Sequence, residues 1–381
     1  MNIIFTFIYA VNARIIFQIF RRKKGKLMKL NVSINGYGTI GKRVVEAVAK
    51  HPFLNLIGIG KYTPDHEALL AIEKGFPVFA PKNSITKFLE KGIKIEGSIE
   101  EMIKLSDVII DCSPAGKGIE NKKIYALNNK KAIFQGGEPK EIAELSFNSR
   151  CNFDAAREKK YIRVVSCNTT ALCRIIKPLM ENYQIKNVEA VLLRRAADPC
   201  DDKTGPINAV KWSSSPSHHA EDVKTVIENI QISTSAFVIP HTLTHLTYLT
   251  FNFNNDSPTK EEIYEIFKKE RRVAVIENAQ STAQLIEASR DLELKRYDTY
   301  MVYLLMNTFH KNENKISFTI VTPQESIVIP ENIDALIAQS NLMNKDEAQK
   351  LTEKILGIDL IKNSMEKIFS NPLTIESSIH A

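Results

Sequence analysis

A run of three glycines set between a strand and a helix limits the fold of this chain more than any other feature. Residues 30–35 (Leu-Asn-Val-Ser-Ile-Asn) read as a short buried strand, Gly36-Tyr37-Gly38-Thr39-Ile40-Gly41 follows, and residues 42–49 are apolar at helical spacing. In that setting each glycine has its own task. Gly36 permits the tight turn, Gly38 lets a pyrophosphate approach the backbone, and Gly41 packs helix on strand. The free N–H groups of the first helical turn, Thr39 and Ile40 among them, then face the phosphates of a dinucleotide. The second strand, residues 55–60, should end in the residue that reads the adenosine ribose, where an Asp or Glu would favour NAD. The chain has Lys61-Tyr62-Thr63 there instead. A cation and hydroxyls accept a 2′-phosphate, so NADP is the expected cofactor, with NAD also accepted. Residues 107–111 and 131–134 read as further strands, ending in Cys112-Ser-Pro-Ala-Gly116 and Gln135-Gly136-Gly137. Small residues such as Gly136 belong where a parallel sheet presents its carboxyl ends to a ligand. Strands and helices alternating over 28–166 make a doubly wound α/β domain.

At 381 residues the chain has room for a second domain, and 44% apolar with 25% charged residues is the composition of a globular protein. The net charge of +7 owes much to one run, Arg21 to Lys26. The remainder is close to neutral, so no nucleic-acid footprint is expected, while a mild positive bias suits small anionic ligands. Five cysteines without CxxC spacing argue against a thiolate zinc site and a disulfide framework, and for reduced thiols in a cytoplasmic protein. Residues 1–20 are strongly apolar ahead of the basic run, but Asn12, Arg14 and Gln18 interrupt any clean span of ~20 residues. Residues 1–27 are read either as a start codon assigned too early or as an extension outside the fold; a membrane anchor is the third reading.

One cysteine has the setting of a nucleophile. Residues 161–165 read as a strand running directly into Ser166-Cys167-Asn168-Thr169-Thr170, with Ala171, Leu172, Ile175, Ile176 and Leu179 continuing as a helix. A sulfur at a helix N-terminus has its pKa lowered from the usual ~8.5. Ser166, Asn168 and the threonines beside it are placed to meet a substrate and to donate to an oxyanion. Cys112 and Cys173 read as a strand end and a helix interior, and Cys151 and Cys200 as loop residues. His218-His219, after Pro216-Ser217, open a helix, and a helix N-terminus carrying two imidazoles suits a phosphate. A metal is not expected, because no third ligand stands at suitable spacing.

Five segments together resemble the archaeal-type (type II) glyceraldehyde-3-phosphate dehydrogenases. They are Ile34-Asn-Gly-Tyr-Gly-Thr-Ile-Gly-Lys-Arg43, Val164-Val-Ser-Cys-Asn-Thr-Thr170, Arg194-Arg-Ala-Ala-Asp-Pro199, Pro216-Ser-His-His219 and Ile329-Pro-Glu-Asn-Ile-Asp334. The resemblance runs from Met28 to about residue 357. It implies that Cys167 attacks the aldehyde of glyceraldehyde 3-phosphate, that hydride passes to a nicotinamide, and that inorganic phosphate cleaves the thioester to 1,3-bisphosphoglycerate, reversibly. It further implies His245 as general base, His218-His219 at the substrate phosphate, and Arg195 and Gln324 at the cofactor. His241 stands where the family normally has threonine. Adjacent arginines on a strand point to opposite faces, so only Arg195 of the pair is expected in the cleft. A long crossing loop at 198–208, a homotetramer and a cytoplasmic location are implied as well, although Trp212-Ser-Ser-Ser departs from the family's proline-rich pattern.

The rivals on the same scaffold are aspartate-semialdehyde dehydrogenase and N-acetyl-glutamyl-phosphate reductase, which recognise amino-acid carboxylates. The histidine pair and the Arg-Arg-Ala-Ala-Asp-Pro segment favour a triose phosphate. A cofactor-binding regulatory or RNA-binding protein with a relict site is opposed by an intact Cys167, His245 and His218-His219. The expected organisation is a Rossmann-type domain made of 28–166 and 329–381, and an α+β catalytic domain over 167–328. The second domain's mainly antiparallel sheet is assigned strands at 188–195, 235–253, 272–276, 301–309 and 316–322, with a hairpin at Asn312-Glu-Asn.

Overall fold

The computed structural model describes residues 29–196, 208–241 and 243–370. Residues 1–27, Cys200 and most of the 198–208 loop lie outside the described residues. The first sheet contains β1 (Leu30–Asn35), β2 (Leu54–Gly60), β3 (Val78–Ala80), β4 (Gly97–Ser98), β5 (Val108–Asp111), β6 (Lys131–Phe134), β7 (Leu145–Phe147) and β8 (Tyr161–Val164). Its order is β4-β3-β2-β1-β5-β6-β8-β7, with every neighbouring pair parallel. The order reverses between β1 and β5, and ligands of doubly wound sheets bind at the carboxyl ends of the strands at such a point.

Side-chain alternation divides this sheet between two cores. Val32, Ile34, Val108, Ile110, Ile133 and Ile162 pack with Val44, Val45 and Val48 of α1 (Thr39–Lys50). Ile109, Ala132 and Phe134 face the other way, onto Ile99, Met102, Ile103 and Tyr125. α1 opens with Gly38 at its N-cap, and no side chain caps its first turn. The three glycines differ in their surroundings. Gly36 sits at φ +109, and a Cβ there would meet the Cys112 carbonyl oxygen at 2.6 Å. A Cβ on Gly41 would lie 2.1 Å from the Gly36 carbonyl oxygen, whereas one on Gly38 would enter open space. Beyond β2, α2 (His66–Glu73) is capped by Asp65, whose carboxylate accepts from the N–H groups of Glu67 and Ala68.

The second sheet joins β9 (Ile185–Arg195), β10 (Lys211–Trp212), β11 (Ile232–Ile239), β12 (His245–Phe253), β13 (Val273–Ile276), β14 (Val302–Asn312) and β15 (Lys315–Thr322) in the order β10-β11-β9-β12-β15-β14-β13. It is mixed and mainly antiparallel: β9 with β11 and β13 with β14 run parallel, the other pairs antiparallel. The β14–β15 hairpin turns at Glu313-Asn314 as expected. The strand expected over 235–253 is instead two. Pro240 cannot donate to a ladder, Thr244 takes φ +68, and the returning β12 pairs with the other edge of β9.

Between the sheets lies α3 (Cys167–Asn182), buried continuously from Asn168 to Ile176. α4 (His218–Lys224) packs beside it. After β15, α5 (Ile329–Gln339) and α6 (Lys345–Leu356) return to α1 of the first sheet. The last described helix, α7 (Ile358–Ile368), departs from the expectation that 329–381 belongs wholly with the nucleotide domain. Its Ile358, Ile361 and Met365 pack on Ala274, Ile276 and Leu285 at the β13 edge of the second sheet. Among the described residues no helix is long and apolar enough to cross a membrane.

Candidate active site

β8 feeds the nucleophile. Val165 ends the strand by donating its N–H to the Phe147 carbonyl, Ser166 caps α3 by accepting the Thr169 N–H at 3.3 Å, and Cys167 is the first helical residue. Gly136 is required here, since a Cβ on it would lie 2.2 Å from the Ser166 nitrogen. The cleft beside the sulfur has a volume of about 400 Å³. It gathers Thr39, Ile40, Gly136, Ser166, Cys167, Arg195, His245 and Gln324 from both halves of the molecule. A second hollow of about 410 Å³ adjoins it and shares Thr39, Gln324 and Glu325. Gly36 and Gly41 shape the turn beneath; Lys61, Asn168, His218 and His219 do not line this cleft.

The nicotinamide group implied by the glycine turn fits the residues present. Thr39 and Ile40 begin a helix without a side-chain cap. Gln324, buried in the cleft wall, has an Oε1 with no hydrogen-bond partner, an acceptor suited to a carboxamide N–H.

The electrostatics correct several expectations. Burial pushes the Cys167 thiol up; Arg195, Arg194 and the backbone N–H groups of Asn168 and Cys167 pull it back only in part. The helix start therefore does not make a low-pKa thiol of Cys167 in the free chain. Nor are the neighbouring side chains free to serve an oxyanion. Thr169 donates its hydroxyl hydrogen to Asp222 Oδ2 at 2.6 Å and so accepts from Ser166, at 2.9 Å. Asp222 is in turn ion-paired with buried Arg163. Asn168 Nδ2 is 3.4 Å from His219 Nε2, and Thr170 bonds the Val165 carbonyl. The remaining donors at the reacting carbon are backbone N–H groups of the α3 start.

The histidine pair is not a cationic cradle. His219 is buried, with Nδ1 3.0 Å from Ser217 Oγ, and burial, then His218 and Arg194, bring its pKa down to about 3. His218 is exposed and stacks on it, ring centroids 4.0 Å apart. His219 thus backs Asn168 as a neutral ring. The residue that strand alternation passed over is Arg194. Both Arg194 and Arg195 line the cleft, at the end of β9 where only β11 still pairs with it. Arg194 Nε is buried without a hydrogen-bond partner among the described residues.

His245 opens β12, and its Nδ1 accepts the Arg195 backbone N–H at 3.1 Å. A neutral ring held this way carries its hydrogen on Nε2. Burial first, then Arg195 and Arg194, hold its pKa well below 6.5. Lys61, expected to offer a charge to a 2′-phosphate, is buried and ion-paired with Asp65 at 2.9 Å and Glu67 at 2.8 Å. Glu67 also pairs with Lys42, so a 2′-phosphate has to compete for a charge already engaged.

Buried neutral imidazoles carry a consequence for stability. His51 is brought down to about 4, by burial and then Lys29, and joins His219 and His245. Each takes up a proton on unfolding once the pH drops below ~6.5. The unfolded chain then binds more protons than the folded one, so stability is complete above that pH and is lost as pH falls toward the folded values. Urea midpoints are expected to hold down to about pH 7 and to decline increasingly from there to about pH 5; a constant midpoint would show that these rings titrate normally.

Comparison with known proteins finds relatives over most of the chain. A family model, glyceraldehyde 3-phosphate dehydrogenase, C-terminal domain, matches residues 166–316. The glyceraldehyde-3-phosphate dehydrogenase of Sulfurisphaera tokodaii is 43% identical over 336 residues, covering 87% of this chain and 98% of that protein. Its namesake from Sulfolobus acidocaldarius is 44% identical over 338 residues, with the same coverage, 87% and 98%. That of Saccharolobus islandicus is 41% identical over 334 residues, 86% and 98%.

Proposed function

The chain belongs to the glyceraldehyde-3-phosphate dehydrogenase family, and on that premise we propose how its own residues carry out the oxidation of glyceraldehyde 3-phosphate, with inorganic phosphate, to 1,3-bisphosphoglycerate. The supporting observation is the convergence of Cys167, His245, Arg194, Arg195 and Gln324 on one cleft that begins at the dinucleotide turn. Cys167 adds to the aldehyde carbon, giving a hemithioacetal, and the chemistry splits into two easier steps through a thioester. When bound, the nicotinamide accepts the hydride. His245 takes the thiol proton, returns it to the oxygen that becomes the hemithioacetal hydroxyl, and takes it up again as hydride leaves the carbon. The backbone N–H groups at the start of α3 steady the oxyanion, and Gln324 orients the cofactor's carboxamide. Arg194 supplies the charge for phosphate, and His219 works from behind through Asn168, with His218 at the rim.

One assay tests the reading: reduction of NADP+ and of NAD+ with glyceraldehyde 3-phosphate, with and without inorganic phosphate. Turnover is expected with both cofactors and only with phosphate; turnover without it would make the chain a hydrolytic aldehyde dehydrogenase instead. NADP preference rests on Lys61 exchanging Asp65 or Glu67 for a 2′-phosphate. Lys61→Ala is expected to raise KM for NADP+ about tenfold while NAD+ changes little, as befits a charge-assisted contact of roughly 1–3 kcal/mol. Equal changes for both cofactors would assign Lys61 to the α2 cap alone. A homotetramer is proposed on the family resemblance, and sedimentation would test it.

A further inference from the structure

Arg43 lies one turn into α1, facing inward and almost fully buried. Its guanidinium spends three donors on three separate pieces of chain. Nη1 donates to the Thr39 carbonyl at 2.8 Å, Nε to Asp298 Oδ1 at 2.7 Å, and Nη2 to Glu325 Oε2 at 2.7 Å. Thr39 belongs to the dinucleotide turn, Asp298 to the connection entering β14, and Glu325 to the connection leaving β15, beside Gln324. Thr39, Gln324 and Glu325 all line the shared hollow between the two halves of the molecule. A planar guanidinium with five donors in a rigid fork can hold such a three-way junction, and an ammonium point charge cannot.

We propose that Arg43 is the positioning residue that sets the width of the cofactor cleft, by fixing the dinucleotide turn against the Gln324-Glu325 segment. It lies at the wall of the adjoining hollow and outside the cleft beside Cys167. Its effect passes through the Thr39 carbonyl on one wall and through Glu325, the neighbour of the unpartnered Gln324 acceptor, on the other. Loosening the junction leaves the two ends of one dinucleotide, pyrophosphate and carboxamide, without a fixed spacing between their partners. Misplacement on the scale of an ångström at such sites costs large factors in function. The inference rests on the cofactor lying in this cleft.

The test is calorimetric binding of NADP+ and NAD+ to the full chain without substrate, together with the rate of Cys167 alkylation by iodoacetamide. Arg43→Met is expected to weaken both cofactors about tenfold or more, with the alkylation rate unchanged because the start of α3 is held by other contacts. Arg43→Lys should regain only part of the affinity, and Glu325→Gln should fall between Arg43→Lys and the parent. If the parent chain binds neither cofactor, the cofactor assignment itself fails. If the parent binds and folded Arg43→Met binds equally well, the positioning role is overturned while the cofactor assignment stands. Should Arg43→Met fail to fold, because two carboxylates are left facing each other, Arg43→Lys and Glu325→Gln decide the matter. Cofactor affinities within about twofold of the parent in both would overturn the role.

Discussion

Cys167→Ser is expected to lower oxidative turnover by roughly 10³-fold or more, while the affinity for NADP+ stays within about twofold. Serine has nearly the shape of cysteine, so the Ser166 cap and the Gly136 contact survive. What disappears is a nucleophile that ionises within reach of neutral pH and forms an energy-rich thioester. The structure adds a condition to this expectation. Because burial raises the Cys167 thiol in the free chain, its alkylation by iodoacetamide should accelerate with rising pH beyond the ordinary thiol range. Cys112 and Cys173 are raised further by burial and should lag behind. Preferential alkylation of Cys151 with activity retained would remove Cys167 from the mechanism.

The parts of the site legible in the sequence were those encoded locally. Gly36 and Gly41 are dictated by contacts with the next few residues and with one neighbouring strand end, so the tight turn they form was legible in their spacing. Cys167 at a strand-to-helix turn was legible for the same reason, since β8 and α3 are both written in hydrophobic periodicity. The misreadings share an opposite cause. Lys61 was read as a free charge, yet its partners come from the cap of the following helix, and whether Asp65 turns toward it depends on the backbone conformation there. His218-His219 at a helix N-terminus suggest a phosphate site, a reading that takes both rings as open to a ligand. Here Asn168 and Ser217 draw the His219 ring inward. Thr169 was read as an oxyanion donor, but its hydrogen is claimed by Asp222, which stands 53 residues away in the chain. Arg43 stands in the first motif, but its role is illegible there, since its carboxylates lie more than 250 residues downstream. Charge pairing across such separations leaves no periodic trace, so it becomes visible only when the two sheets are assembled.

His245→Asn is the second large effect: turnover is expected to fall by about 10²–10⁴-fold, with KM for the triose phosphate little changed, because the lost interaction belongs to the transition state. The position of the acid limb follows from the ring's surroundings. A base works only when unprotonated, and kcat/KM reports the free enzyme, in which burial, Arg195 and Arg194 hold His245 well below 6.5. Activity should therefore persist as pH falls through the ordinary histidine range and fail only below it; an acid limb near ~6.5 would show a hydrated ring. The Arg195 N–H bond to Nδ1 imposes a further requirement. To accept a proton on Nε2 the neutral ring must first carry its hydrogen on Nδ1, so the Arg195 backbone has to release it. Arg195 is the last residue of β9, past the rungs shared with β12 but still paired with Ile239 of β11, so that ladder has to yield at its end. Asparagine separates this base role from a simpler one, since its amide can still donate a hydrogen bond into the cleft but cannot take up a proton. Near-parental turnover in His245→Asn, with loss only in His245→Ala, would mean that the ring serves as an Nε2–H donor to the oxyanion and that another group removes the thiol proton.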